Sequence, residues 1–173
     1  MDDIRLNPVN ISVFTVGAGY LMSAKHLVAT RTKENSSQVC VSAFVLAALS
    51  IEILLKSLII DRKFTLKESL NEDGLTEFTI ENEKVKFKGH LFEELYKNIK
   101  ENTVRGQLLA ELGCSEEELL TRLKRYQDYY TKARYTYESD SLKTTNSGII
   151  TLASDIESAI KRIGNISEQR GLR

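Results

Sequence analysis

The stretch Val39-Cys-Val-Ser-Ala-Phe-Val-Leu-Ala-Ala-Leu-Ser-Ile-Glu-Ile-Leu-Leu-Lys-Ser-Leu-Ile-Ile60 limits what this chain can fold into more than any other part of it. It is too long for an ordinary strand and holds no Gly or Pro. Ala and Leu dominate its centre, so it reads as a helix. Only Ser42, Ser50, Glu52, Lys56 and Ser57 interrupt its apolar surface. A helix that is apolar nearly all round must be enclosed, either by other helices of the same chain or by a partner. A membrane span is the competing reading. Glu52 and Lys56 argue against it, since each would cost roughly 2.5 to 3.5 kcal/mol at mid-bilayer. The expectation is the central helix of a soluble bundle, with no membrane partner.

One domain accommodates all 173 residues, with enough chain to bury a substantial core. Twenty-four basic residues balance twenty-four acidic ones, so no global field draws in nucleic acid or an anionic membrane. Any such partner must be met by a local patch. Cys40 and Cys114 show neither metal-ligand spacing nor a disulfide framework, and read as buried, reduced thiols. The amino terminus lacks the basic n-region and apolar core of a secretory signal, so a cytoplasmic location is expected.

Residues 1–9 form a lead-in, and Asn10 is placed to cap a first helix. From Ile11 to about Arg31 the apolar residues recur at helical steps, weakened by Gly17 and Gly19, which let another backbone come close. Thr32–Ser37 is polar and reads as a loop, with Ser36 or Ser37 capping the central helix. Residues 76–87 alternate apolar and polar around Glu81-Asn-Glu83, as a short hairpin would, with Phe78 and Ile80 on one arm and Val85 and Phe87 on the other. A third helix starts near His90 and either breaks around Asn102 or runs on to Gly113, a good residue for a left-handed helix end. Ser115-Glu-Glu-Glu118 is a capping box that opens a long fourth helix. The last helix follows Asn146 or Ser147 and ends at Gly164. The pattern predicts an all-α fold, an antiparallel bundle of about five helices with a small β-hairpin insertion at about 76–87. The helical domain spans 10–165, and 166–173 is a tail.

Between Leu119 and Arg134 the fourth helix carries Arg122, Lys124, Arg125, Lys132 and Arg134 against the single acid Asp128. Tyr126, Tyr129 and Tyr130 lie among them, with Tyr135 and Tyr137 just beyond. Cations beside aromatic rings suit phosphate contact combined with base stacking. The same pattern also arises when Tyr126, Tyr130 and Ala133 are core and the bases decorate a solvated face. Glu52 and Lys56 stand four apart and can pair on one helix face. They form either a thin exposed stripe or a buried pair that needs further partners, for which Arg134 and Glu138 are natural candidates. His90 is either a surface or capping residue, or an acid–base group if Arg134 or a tyrosine hydroxyl comes within reach. No phosphate-binding glycine loop, nucleophile elbow or zinc-ligand pattern occurs, and no cofactor or metal is expected.

Three stretches taken together, Ala47-Ala-Leu-Ser-Ile-Glu-Ile-Leu-Leu-Lys-Ser-Leu58, Gly89-His-Leu-Phe-Glu-Glu-Leu95 and Ala133-Arg-Tyr-Thr-Tyr-Glu138, resemble the HEPN domain superfamily over roughly residues 10 to 165. The resemblance implies an antiparallel helical bundle that often dimerises, with a composite site where two protomers meet. Many such proteins cut RNA without metal, as toxins or phage-defence effectors, and others are non-catalytic binding modules. The catalytic members carry an Arg followed four to six residues later by His. Arg134 matches the Arg, but residues 139–141 read Ser-Asp-Ser and no His follows. Tyr137, Glu138 or His90 would have to stand in. Three readings result. One is a catalytically degenerate homodimer that binds RNA, a nucleotide or a partner protein in a defence or toxin–antitoxin setting. Another is a metal-independent ribonuclease with a substituted acid–base pair, and the last is a structural oligomer. The residues placed at the site are Arg134, His90, Tyr137 and Glu138 for chemistry, and Glu52, Lys56, Arg125, Tyr130 and Tyr135 for binding.

Overall fold

The structure, a computed structural model, describes residues 8–34, 36–59, 65–70, 76–81, 89–129 and 147–166. These are mostly helical. Six helices are described: α1 (Ile11–Thr30), α2 (Ser36–Lys56), α3 (Phe92–Lys97), α4 (Asn102–Leu112), α5 (Glu116–Tyr126) and α6 (Gly148–Ile163). Two strands, β1 (Thr65–Leu70) and β2 (Thr76–Glu81), pair antiparallel with Thr65 opposite Glu81 and Leu70 opposite Thr76. The segment expected as the first hairpin arm is thus β2, and its described partner precedes it. The expected second arm, around Val85 and Phe87, lies outside the described residues.

The apolar run forms α2 and lies at the centre. Ala43, Ala47, Ile51, Leu54 and Leu55 are completely buried, enclosed by α1 on one side, α6 on another and α3 near the carboxyl end. The window Val39–Lys56 is long and apolar enough to cross a membrane, with a mean hydropathy of 2.1, and half of it is buried inside the fold. α1 runs antiparallel to α2. The Asn10 backbone N–H donates to the Ser57 carbonyl at 2.8 Å, and the buried Ser50 hydroxyl donates to the Gly17 carbonyl at 2.8 Å. Gly17 is where the two helices approach most demandingly, because a Cβ there would stand 3.0 Å from Leu54 Cγ and 3.1 Å from the Leu54 backbone nitrogen. At Gly19 an added Cβ would meet nothing within 4 Å.

Local sequence signals set most of the helix ends. The Asn10 side chain accepts from Val13 N at 3.2 Å, and Ser115 with Glu118 forms the expected reciprocal capping box. The Ser115 backbone N–H and then its hydroxyl hold the Glu118 carboxyl below the ordinary carboxylate range. Gly113 closes α4 in the left-handed region at φ 62°, and the Cys114 and Gly113 N–H groups return to Leu109 and Ala110. One expectation needs correcting. Ser36 is already helical, so neither it nor Ser37 precedes the helix as a cap. The third helix opens near His90, at Phe92, and of the two courses expected for it takes the break, with 98–101 between α3 and α4, which begins at Asn102. Ser147 holds the N-cap position of α6, although its side chain makes no capping hydrogen bond. Gly164 ends α6 as expected, and the left-handed residue, Asn165 at φ 48°, follows it, with Ile166 N donating to Lys161 O and Asn165 N to Arg162 O. Gly164 answers a different need, since a Cβ there would press on Val9 Cγ2 at 3.0 Å.

Tyr96 of α3 is fully buried, and its hydroxyl has no hydrogen-bond partner among the described residues. Burial, then the charge of the nearby Glu116, which stops short of hydrogen-bonding geometry, pushes its ionisation up to about 12. A raised acid pKa stabilises the neutral form in the fold. Its contribution is therefore complete below about 10 and is lost as pH rises towards about 12. Tyr96→Phe should unfold less steeply than the parent over that window in chemical denaturation at fixed pH steps, with little change at neutral pH. The two α1 glycines give an opposed pair of outcomes. Gly19→Ala should add about 0.5–1 kcal/mol of stability by stiffening the unfolded chain. Gly17→Ala should remove about 1–3 kcal/mol by overpacking against Leu54. Thermal melts of both proteins check this, and a stabilised Gly17→Ala would overturn the close-contact account.

Candidate functional site

Across α1 and α2 the charged residues are Lys25, Glu52 and Lys56. Lys25 reaches Glu157 on α6 at 4.0 Å, which leaves Glu52 and Lys56 as the charges carried by the central helix. One helical turn apart, they pair: Lys56 Nζ donates to Glu52 Oε1 at 2.6 Å. Only 6% of Glu52 is exposed. A carboxylate so placed needs compensation beyond one ammonium, and it receives it from across the fold.

The second partner is His90. Gly89 is buried and His90 exposed on the extended lead into α3, which packs on α2. Leu91, at the N-cap position, gives α3 no side-chain cap, so the contacts of residues 89–91 fix how the chain enters that helix. His90 Nδ1 lies 2.9 Å from Glu52 Oε1, the same oxygen that accepts from Lys56, while 77% of the His90 side chain is open to solvent. One buried carboxylate oxygen thus ties together an ammonium on its own helix and an imidazole 38 residues away. The ring is held at one nitrogen and solvent-facing elsewhere, an arrangement suited to moving protons.

The basic stretch of α5 is organised differently from a continuous cationic face. Arg122 pairs with Asp155 of α6, and Lys124 reaches Glu93 of α3 at 3.2 Å. Lys97, then Lys124, holds the Glu93 carboxyl below its usual range. Arg125 is exposed. Tyr126 and Tyr129 are buried, and their rings meet edge to face at a centroid distance of 5.3 Å. Stacking on bases is not open to these two rings, so the core reading is correct for Tyr126, and Tyr129, which that reading did not include, is buried beside it. Tyr130, Arg134, Tyr135, Tyr137 and Glu138 lie outside the described residues. So of the expected site residues, Glu52, Lys56 and His90 come together and Arg125 stands apart from them on α5.

Among the described residues the partner of the Glu52–Lys56 pair is His90, and the Arg134 and Glu138 that the sequence suggests lie outside them. The only sequence signal for His90 is that a nearly enclosed Glu–Lys pair calls for a further polar partner. No group of three or more His, Cys, Asp or Glu residues is arranged to hold a metal ion among the described residues. Comparison with known family models, curated proteins and solved structures finds no significant match to this chain.

Removing the shared acceptor tests how much the trio matters to the fold. Glu52→Ala leaves Lys56, only 16% exposed at its side chain, without its counter-charge. It should cost about 2 kcal/mol in urea denaturation. Adding Lys56→Met to Glu52→Ala should restore part of that loss, and strictly additive losses would show that the two residues do not act as a pair.

Proposed function

We propose that this chain is a HEPN-like protein, an antiparallel bundle of about five helices with a β-hairpin excursion. On this reading it works as a homodimer in a cytoplasmic defence or toxin–antitoxin setting and cuts RNA without metal. The observation that carries the chemistry is the exposed imidazole of His90, held at 2.9 Å by the enclosed carboxylate of Glu52 beside Lys56. Metal-free cleavage of RNA needs one group to take the 2′-hydroxyl proton and another to protonate the leaving oxygen. The usual His is missing after Arg134, and His90 supplies an imidazole from another part of the chain. Arg134 serves as the phosphate anchor in this reading, with Tyr137 and Glu138 beside it.

A second reading, a catalytically degenerate dimer that binds RNA, a nucleotide or a partner protein, is favoured by the missing His and by exposed Arg125 on α5. There Arg134, Tyr130 and Tyr135 are binding residues, and His90 only fastens the approach to α3.

Purified protein incubated with labelled single-stranded RNA in EDTA, at low and moderate salt and with its mass in solution determined, separates the readings. The nuclease reading expects metal-independent cleavage that falls at least about a hundredfold in His90→Ala and in Arg134→Ala. Cleavage unchanged in both variants would sink it. Binding that weakens with salt, without cleavage, selects the degenerate reading. A protein that neither cuts nor binds RNA excludes both nucleic-acid roles and turns attention to protein partners.

A further inference from the structure

We infer that Glu52 is a positioning residue that fixes His90 in the tautomer with its proton on Nδ1, so that Nε2 is presented to solvent as a proton acceptor. This deepens the nuclease reading and rests on it for its functional meaning, although the tautomer follows from the contacts alone.

The argument runs through one oxygen. Lys56 Nζ carries only donors, and it lies 2.6 Å from Glu52 Oε1, so that oxygen is an acceptor there and carries no proton of its own. His90 Nδ1 lies 2.9 Å from the same atom. Two lone pairs facing each other at that distance would repel, so Nδ1 is the donor. In the neutral imidazole the proton on Nδ1 leaves Nε2 with a free lone pair. Lys56 contributes through Glu52. It completes the charge balance of a carboxylate that is only 6% exposed, and it occupies the oxygen in a way that leaves His90 one role. An exposed ring held at Nδ1 by a fixed acceptor is suited to removing a proton from a hydroxyl group, the step that a substrate with a ribose 2′-hydroxyl requires.

The molecule supplies its own reference. Its other histidine, His26 on α1, is exposed. Nitrogen NMR of the ring-labelled full chain, at a pH about two units above the ordinary imidazole value, reads the two tautomers separately. His90 should favour the Nδ1–H form about tenfold more than His26 does, the scale on which one hydrogen bond to a charged acceptor acts. In Glu52→Ala, which removes both acceptor oxygens, the bias should collapse towards that of His26, and in Lys56→Met it should persist, because the carboxylate remains. Equal tautomer ratios at His90 and His26 in the parent protein would overturn the inference, and need no variant to fold. So would a bias that survives Glu52→Ala. Cleavage assays on the same proteins keep this separate from the nuclease reading. A biased His90 in a protein that does not cut RNA upholds the positioning and removes the ribonuclease. If the protein does cut RNA, Glu52→Ala should lower kcat with KM unchanged, and an unaltered kcat would deny Glu52 its part in the reaction.

Discussion

The enclosure of α2 is the constraint on which the rest of the described structure depends. A helix apolar on nearly every side gains stability only where other surfaces cover it, so α1, α3 and α6 are arranged around it. The closest cover is α1, and it is close because Gly17 carries no side chain to hold Leu54 off. The approach also brings the Gly17 carbonyl to the Ser50 hydroxyl, which gives a buried donor its acceptor inside the apolar layer. The same enclosure explains the polar site. Two charged residues on such a helix cannot both be left to solvent, and Glu52 draws on Lys56 and His90 together.

Much of the fold was legible because it is written locally. Asn10, Gly113 and the Ser115–Glu118 box act within one turn of themselves, and helical periodicity placed the helices around them. What was hidden depends on contacts distant in sequence. Gly164 does end its helix, but the left-handed turn falls on Asn165, and Gly164 is small for the sake of Val9. Whether the third helix breaks near Asn102 or runs on to Gly113 is likewise open in the sequence, and the fold takes the break, at 98–101.

The site was legible by halves. Spacing alone paired Glu52 with Lys56. No spacing could join His90 to them, because the contact is made only once α3 has packed on α2. The tyrosines at and just beyond the end of α5 show the opposite difficulty. Tyr126 and Tyr129 stand among bases, as stacking residues would, but packing turns both rings inward and sets them against each other. Arg122 and Lys124 are likewise committed to acids on other helices. Charge and aromaticity in a sequence describe what a helix carries, and only its neighbours decide which side chains remain available.

The contact between Val9 and Gly164 also bears on how the chain is connected. It brings the beginning and the end of the described helical unit to the same place. Joining them by a short linker would close a loop that the native fold has already closed, so the join would add little entropic cost to the folded state. The order in which the helices are threaded is therefore separable from the way they pack. A chain opened at the exposed turn after α1 and sealed between residues 166 and 8 retains every α1–α2 contact, with the two helices no longer consecutive in sequence.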